Sequence, residues 1–259
     1  MDLGLKGRRA LVCASSRGLG RACARALARE GAAVVINGRD PAALEQTAQA
    51  LRAETGGEIT AVVADLDVEA ERERLVAACP DADILVNNNG GPPPGRFQDW
   101  DHAAWLAALE ANLLAPVLLI RALLPGMRER GFGRIVNITS AMVKAPAAPL
   151  GLSTAARSGL TAVCKALSRE VAADNVTINN LLPERFDTDR QLQMATLVSK
   201  VKGISMEEAR AEQVRSIAAG RLGTPEEFGE ACAFLCSAQA GYISGQNLQL
   251  DGGSYPGVV

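Results

Sequence analysis

The chain has 259 residues, enough to bury a sizeable core, and α/β folds of this length are commonly one domain, here expected over residues 1–259. Its 27 basic and 29 acidic side chains leave a formal net charge of −2, which excludes the overall basic field that attracts nucleic acid or anionic membranes. Uninterrupted apolar runs fall short of a membrane span and the N-terminus begins no signal peptide, so we expect a cytoplasmic protein with a small-molecule partner.

Strand-like apolar runs alternate along the chain with segments of 3.6-residue periodicity that are typical of helices. The predicted strands are 9–13, 33–37, 59–63, 84–87, 134–139, 177–181 and 247–250. The predicted helices include 21–30, 41–54, 69–79, 105–130 and 154–173. Alternation of this kind implies right-handed crossovers and a parallel sheet covered on both faces. The sequence therefore predicts a Rossmann-type, doubly wound α/β fold with about seven strands.

Loops and helix ends add detail to this fold. Asp40-Pro41 and Thr224-Pro225 each combine a capping side chain with a proline at the first helical position, which predicts two helix starts. We expect the glycine- and proline-rich loop 90–95, which follows a strand, to wall a ligand crevice. The polar, partly helical segment 184–220 is interpreted as a substrate loop, with a mobile lid as one form of it. His102 is expected to cap or decorate the 105–130 helix rather than act in catalysis.

The six cysteines lack paired CxxC spacing. Cys232 and Cys236 lie four apart on one predicted helix, a spacing that a metal or redox pair would also have, but no histidine or further cysteine stands near them. We therefore interpret all six as small buried apolar residues and predict no metal site.

A glycine turn joins the first predicted strand to the first helix. A helix N-terminus presents free N–H groups and a positive dipole end, and glycine lets a phosphate approach the backbone closely. The turn therefore predicts a pyrophosphate site made by Ser15, Ser16, Arg17, Gly18, Leu19 and Gly20.

The end of the second strand, Asn37-Gly38-Arg39, indicates which dinucleotide is bound. An acidic residue at this point, roughly 20 residues beyond the glycines, would hold the ribose 2′-OH of NAD. Gly38 occupies that place, and the guanidinium groups of Arg39 and Arg17 suit a 2′-phosphate. We predict NADP(H) rather than NAD(H). The alternative is that both arginines are solvated surface charges.

The glycine turn and further motifs along the chain together carry a resemblance to a known family. From end to end, the chain resembles the short-chain dehydrogenase/reductase family, especially bacterial 3-oxoacyl-acyl-carrier-protein reductases. The family's T-G-x-x-x-G-x-G turn falls at residues 13–20, departing at Cys13 and Ala14, and its N-N-A-G falls at residues 87–90, with Asn89 in place of alanine. The resemblance implies cofactor contacts from Asp65, Leu66, Asn88, Asn89, Gly90, Arg157, Pro183 and Thr188. It also implies a homo-oligomer, a tetramer or a dimer, that pairs the 105–130 and 154–173 helices across a two-fold axis.

The catalytic residues that the resemblance implies are partly replaced. Ser140 falls at the family's carbonyl-polarising serine and Asn112 at its water-holding asparagine. Ser153 stands where the proton-donating tyrosine should be, and Arg157 stands in place of the lysine. A serine hydroxyl is shorter than a phenol and has a far higher pKa, and an arginine with its usual pKa above about 12 orients and stabilises charge without exchanging protons.

Two further features leave alternatives open. Lys144, four residues beyond Ser140, is a candidate proton donor if desolvated, or else a solvent-facing loop lysine. Glu184 and Arg185, where the family has glycine and its neighbour, either pair with each other or contact substrate.

Two hypotheses of function follow. The first is an NADP(H)-dependent oxidoreductase that interconverts a ketone or 3-oxoacyl thioester and a secondary alcohol through a non-standard proton relay. The second is a dinucleotide-binding homologue with weak or no turnover that serves as a sensor or oligomer partner.

Overall fold

The computed structural model describes residues 2–258, and within them seven strands form one sheet in the order β3-β2-β1-β4-β5-β6-β7. The strands are β1 (Arg9–Val12), β2 (Ala33–Gly38), β3 (Ile59–Val63), β4 (Ile84–Asn87), β5 (Gly133–Ile138), β6 (Val176–Pro183) and β7 (Asn247–Leu250). Each neighbouring pair is parallel. The strand order reverses between β1 and β4, which is where a doubly wound sheet opens a ligand crevice. The predicted fold class is confirmed.

Helices cover both faces of the sheet. They are α1 (Gly18–Arg29), α2 (Pro41–Thr55), α3 (Glu69–Ala77), α4 (His102–Leu109), α5 (Ala115–Glu129), α6 (Gly151–Val171), α7 (Asp189–Lys202), α8 (Met206–Val214) and α9 (Pro225–Cys236). Because side chains alternate along a strand, Val12 of β1 joins the core under α1, α2 and α9, while Leu11 joins the core under α3, α5 and α6. Both cores consist of aliphatic side chains, alanine and cysteine with few aromatics.

Capping explains where several helices begin. Asp40 accepts hydrogen bonds from the Ala42 and Ala43 N–H groups, and Thr224 forms a capping box with Glu227, so both predicted helix starts are confirmed. Asp101, not His102, caps α4 by accepting from the Ala104 N–H at 2.8 Å. Of the two expected roles, His102 therefore has the second: it is the first residue of α4 and does not cap the helix, because an aspartate oxygen one residue earlier already takes the free N–H.

The segment predicted as one helix over 105–130 is α4, a π-helical turn (Glu110–Leu114) and α5 in succession. Together His102–Glu129 are long and apolar enough to cross a membrane, and an 18-residue window within them has a mean hydropathy of 1.8, although no uninterrupted apolar run is that long. Leu119, Leu123 and Met127 of α5 are buried in the core. A core helix passes the same test of length and composition, so one such helix is weak evidence for a membrane span.

All six cysteines are buried and free, as predicted. Burial raises the pKa of the Cys13 thiol to about 12 and that of the Cys164 thiol to about 11. Cys23 of α1 and Cys232 and Cys236 of α9 belong to the same buried core, so these thiols lie close together between the two helices.

Candidate active site

Two adjoining cavities lie at the carboxyl edge of the sheet. The first cavity, of about 670 Å³, lies over the ends of β1, β2 and β3, and the second, of about 610 Å³, lies over the ends of β4, β5 and β6. Asn88 and Asn89, which follow β4, line both. The two cavities therefore form one continuous crevice at the point where the strand order reverses, as expected for a doubly wound sheet.

The glycine turn forms one side of the first cavity. Gly18 has a φ of +59°, a left-handed conformation that glycine adopts without strain. A Cβ on Gly20 would lie 2.5 Å from the Ala14 carbonyl oxygen, so the turn closes tightly only with glycine there. Arg17 precedes α1 without capping it through its side chain, and the first-turn N–H groups stay open to a ligand. This turn fits a pyrophosphate.

Three guanidinium groups line the first cavity: Arg17 and Arg39, as predicted, and Arg21. Sequence reasoning missed Arg21, which lies in the first turn of α1, four residues after Arg17. The lining includes two carboxylates. Asp40 caps α2, and Asp65 lies 3.8 Å from the guanidinium of Arg39, whose side chain is largely exposed. The cavity thus retains cationic side chains for a phosphate.

Not every predicted cofactor contact presents a free polar group to this cavity. The lining includes Ser16, Arg17, Asn37, Gly38, Arg39, Asp65, Leu66, Asn88, Asn89 and Gly90. Ser15 is fully buried and outside the lining, because its hydroxyl donates to the Val12 carbonyl at 2.7 Å and accepts from the Asn37 N–H at 3.0 Å. The Asn37 amide accepts from the Ala14 N–H and donates to the Ala64 carbonyl. Ser15 and Asn37 therefore hold the turn against β2 and β3.

The second cavity brings together most of the predicted catalytic residues. Among its lining residues are Leu19, Ser140, Ser153, Arg157, Pro183, Glu184, Arg185 and Thr188. Ser140 follows β5 and caps a short helical turn by accepting from the Met142 N–H at 3.2 Å. Ser153 accepts from Arg157 Nε–H at 3.1 Å, one turn along α6. Each serine oxygen already accepts a hydrogen bond, which leaves its own O–H free to donate to a third atom.

Arg157 is the buried cation of the site, only 8% exposed. Besides Ser153, its guanidinium donates to the Ile138 carbonyl at 2.6 Å and to the Asn89 carbonyl at 3.4 Å. Burial, and then the nearby charge of Arg190, lower the pKa of Arg157 to about 10, below the ordinary value assumed from the sequence. The group still carries its positive charge at neutral pH, and no carboxylate in residues 2–258 pairs with it.

Asn112 lies outside both linings, in the π-helical turn between α4 and α5. Its amide donates to the Gly90 carbonyl at 3.2 Å, while its buried Oδ1 has no hydrogen-bond partner among the described residues. Such π-turns occur frequently at functional sites, and a buried acceptor without a protein partner suits an ordered water.

Lys144 does not line either cavity. Its ammonium lies 5.6 Å from the ring centroid of Tyr255 in the C-terminal segment. The hypothesis that Lys144 donates the proton stays a prediction, and no contact in the described structure supports it. Glu184 pairs with Arg185 at 3.1 Å, which favours the first of the two alternatives for these residues, although both side chains also line the second cavity.

The loop 90–95 walls the second cavity through Gly91 and Pro94, as predicted. Its end is fixed by Trp100: a Cβ on Gly95 would lie 2.6 Å from the indole nitrogen, and a Cβ on Gly151 would lie 2.6 Å from the ring. Trp100 therefore packs the end of loop 90–95 against the start of α6, the helix that carries Ser153 and Arg157.

A family model described as enoyl-(acyl carrier protein) reductase matches residues 13–255. The chain is 34% identical to dehydrogenase/reductase SDR family member 4 of Oryctolagus cuniculus, covering 96% of this chain and 94% of that protein. It is 32% identical to a 3-oxoacyl-[acyl-carrier-protein] reductase of Vibrio cholerae, covering 98% and 99%. Its fold matches the crystal structure of Gluconobacter frateurii L-sorbose reductase complexed with NADPH and L-sorbose, with a TM-score of 0.95, 29% identity and full coverage of both chains.

Proposed function

The chain belongs to the short-chain dehydrogenase/reductase family, and from this premise we propose that it is an NADP(H)-dependent oxidoreductase interconverting a carbonyl compound and a secondary alcohol. The carbonyl substrate we propose is a ketone or a 3-oxoacyl thioester. The observation that carries the proposal is the continuous crevice, in which an arginine-rich cavity at the start of α1 adjoins a cavity lined by Ser140, Ser153 and Arg157.

The first cavity and the junction fit the coenzyme. The open first turn of α1 would bind the pyrophosphate, and Arg17 and Arg39 would bind the 2′-phosphate that distinguishes NADP(H). Asp65 would contact the adenine, and Arg157 the nicotinamide ribose. Pro183 and Thr188 line the second cavity and would adjoin the nicotinamide. Bound NADP(H) supplies the hydride.

In the second cavity, the two serine hydroxyls replace part of the missing phenol's role. Ser140 and Ser153 would each donate a hydrogen bond to the substrate carbonyl oxygen, and the fixed charge of Arg157 would stabilise the alkoxide that develops. A serine does not release its proton without receiving another, because its pKa is far above neutral. We place the source of the proton in water held by Asn112 Oδ1, which has no hydrogen-bond partner among the described residues, with Lys144 as the alternative donor.

A second candidate is a dinucleotide-binding protein without turnover, acting as a sensor or oligomer partner. The observation that favours it is the lining of the second cavity, in which the described residues include no tyrosine. In either case we propose a cytoplasmic homo-oligomer.

The deciding experiment combines turnover with binding. NADPH consumption is followed with a panel of ketones, sugars and 3-oxoacyl thioesters, while NADPH and NADH are titrated by calorimetry. Turnover of one carbonyl class with preferred NADPH binding supports the oxidoreductase. Tight NADPH binding with no turnover of any carbonyl supports the second candidate, and the absence of binding to either dinucleotide contradicts both.

A further inference from the structure

In the second cavity, two cationic side chains, Arg157 and Arg190, have no carboxylate partner among residues 2–258, and we propose that they select a substrate bearing an oxyanion, a carboxylate or a phosphate, beside its reacting carbonyl. This inference rests on the proposed function and deepens it by naming the substrate class. Arg190 is the specificity-determining residue, because the Arg157 guanidinium also donates hydrogen bonds to protein groups.

The two guanidinium groups converge on one point of the cavity wall. A Cβ built on Gly91 would lie 3.5 Å from Arg190 Nη1, 3.8 Å from Arg157 Nη2 and 3.7 Å from Ser153 Oγ. Arg190 comes from α7, and Arg157 and Ser153 both come from α6, while Gly91 lies in the loop after β4. Sequence reasoning did not bring Arg190 to the site. An anion bound there would meet two cations and a hydroxyl donor beside the position proposed for the carbonyl.

Neither cation is neutralised within residues 2–258. Arg157 donates only to two carbonyl oxygens and a hydroxyl, and no hydrogen bond or ion pair joins Arg190 to any described residue. The third cation of the cavity, Arg185, is already engaged: it pairs with Glu184 and donates to the Gln213 carbonyl and to Ser216. Because an unpaired buried charge is costly, the buried Arg157 favours an anion beside it, and the exposed Arg190 adds a second cation at the same point.

The anion is assigned to the substrate because the coenzyme's phosphates have a separate site. Arg17, Arg21, Arg39 and the open start of α1 lie in the first cavity, at the other end of the crevice from Arg190. Carboxylate and phosphate both match the planar fork of a guanidinium. A cavity of about 610 Å³ is of a size that encloses a small molecule.

The test compares matched anionic and neutral ketones on the intact enzyme with NADPH. Acetoacetate and levulinate are each paired with their methyl esters, and dihydroxyacetone phosphate is paired with dihydroxyacetone. We expect at least one anion to exceed its neutral partner about tenfold in kcat/KM. For that anion, Arg190→Gln should lower kcat/KM about tenfold or more, mainly through KM, while the neutral partner changes less than about twofold.

Arg215→Gln is the matched control, because Arg215 is an exposed arginine in the same 184–220 segment and lines neither cavity. It should leave both members of each pair unchanged. The keto-acid and phosphate pairs distinguish the two kinds of oxyanion. The dissociation constant of NADPH, measured by calorimetry for both variants, separates a substrate role from a coenzyme role.

Three results would overturn the inference: equal use of anion and neutral partner in every pair, an equal loss for both partners in Arg190→Gln, or a loss explained entirely by weaker NADPH binding. If no ketone is turned over, the proposed function fails separately, and calorimetric binding of the same pairs decides the inference. Preferential binding of an anion that Arg190→Gln abolishes supports it; no preference contradicts it.

Discussion

At the scale of single residues, the exchange of a phenol and an ammonium for a hydroxyl and a guanidinium changes the chemistry of the second cavity. Ser153 and Arg157 are joined by a hydrogen bond of 3.1 Å, so the arginine fixes the direction of the serine oxygen. Burial lowers the pKa of Arg157 to about 10 without removing its charge at neutral pH. The pair is thus suited to stabilising negative charge and needs another group to supply a proton.

Selectivity for the 2′-phosphate is the first prediction at this scale. The double variant Arg17→Ala, Arg39→Ala should weaken NADPH binding about 100-fold and leave NADH binding within about twofold, because each lost charge-assisted contact is worth about 1.5 kcal/mol at an exposed site. Calorimetric titration of both dinucleotides measures this. Arg169→Ala, an exposed arginine on α6 away from both cavities, is the control. Equal weakening of both dinucleotides would place these arginines elsewhere on the coenzyme.

The second prediction at this scale concerns stabilisation of the alkoxide that develops during reduction. Ser140→Ala should lower kcat about 100-fold with little change in KM, because removing one donor to a developing oxyanion typically costs a factor of about 10² to 10³. Steady-state kinetics on a carbonyl substrate found in the panel gives the result. Ser254→Ala is the control, since that hydroxyl donates to the Asp251 carbonyl and lines neither cavity. An undiminished kcat in Ser140→Ala would remove this hydroxyl from the mechanism.

At the scale of elements, the position of the glycine turn depends on how closely α1 approaches α9. A Cβ on Gly229 of α9 would fall on the carbonyl oxygen of Ala22 in α1, so the two helices pack backbone to backbone. The close packing holds the helix whose first turn is proposed to bind pyrophosphate.

The same observation gives a stability prediction. Gly229→Ala should lower the free energy of unfolding by about 1 to 3 kcal/mol, because the added methyl group forces the two helices apart. Gly159→Ala, in α6, is the matched control: its Cβ would lie 3.4 Å from Leu113 Cδ2, and alanine in a helix gains about 0.5 to 1 kcal/mol over glycine. Urea unfolding followed by circular dichroism compares the two. Equal stability of both variants would show that the α1–α9 contact yields easily.

At the scale of the whole molecule, one apolar groove lies outside the crevice, between α5 and α6. It has a volume of about 490 Å³ and is lined mainly by Val117, Leu124, Val163 and Leu167, beside Arg121 and Arg128. Val163 is 45% exposed there. Since the resemblance pairs these helices across a two-fold axis, we propose this groove as the face that joins the copies of a homo-oligomer.

The corresponding prediction concerns assembly. The parent should elute as a dimer or tetramer in size-exclusion chromatography with light scattering, and Val163→Asp should shift it to a smaller species, because a carboxylate would be desolvated in the interface. Val201→Asp places the same charge on an exposed apolar position of α7 as a control. A monomeric parent, or dissociation in both variants, would contradict the assigned face.

The sequence by itself determined the doubly wound sheet, the starts of α2 and α9 and the glycine turn. These follow from hydrophobic periodicity, capping side chains and the conformational freedom of glycine, all of which act over a few neighbouring residues. Arg17 and Arg39 were found because they stand at fixed places relative to those elements, whereas Ser140, Ser153 and Arg157 came from the family resemblance. The family resemblance placed several further residues along the same crevice.

Only the tertiary structure decided which side chains are occupied and which are free. It directs the Ser15 hydroxyl to the Val12 carbonyl, places Lys144 beside Tyr255, leaves Asn112 Oδ1 without a hydrogen-bond partner among the described residues and brings Arg190 near Arg157 at Gly91. Each of these outcomes depends on groups far apart in the chain, whose approach is set by how α6, α7 and the loops pack on the sheet. Local sequence patterns do not predict that packing, because a side chain becomes buried or paired only when distant segments of the chain come into contact.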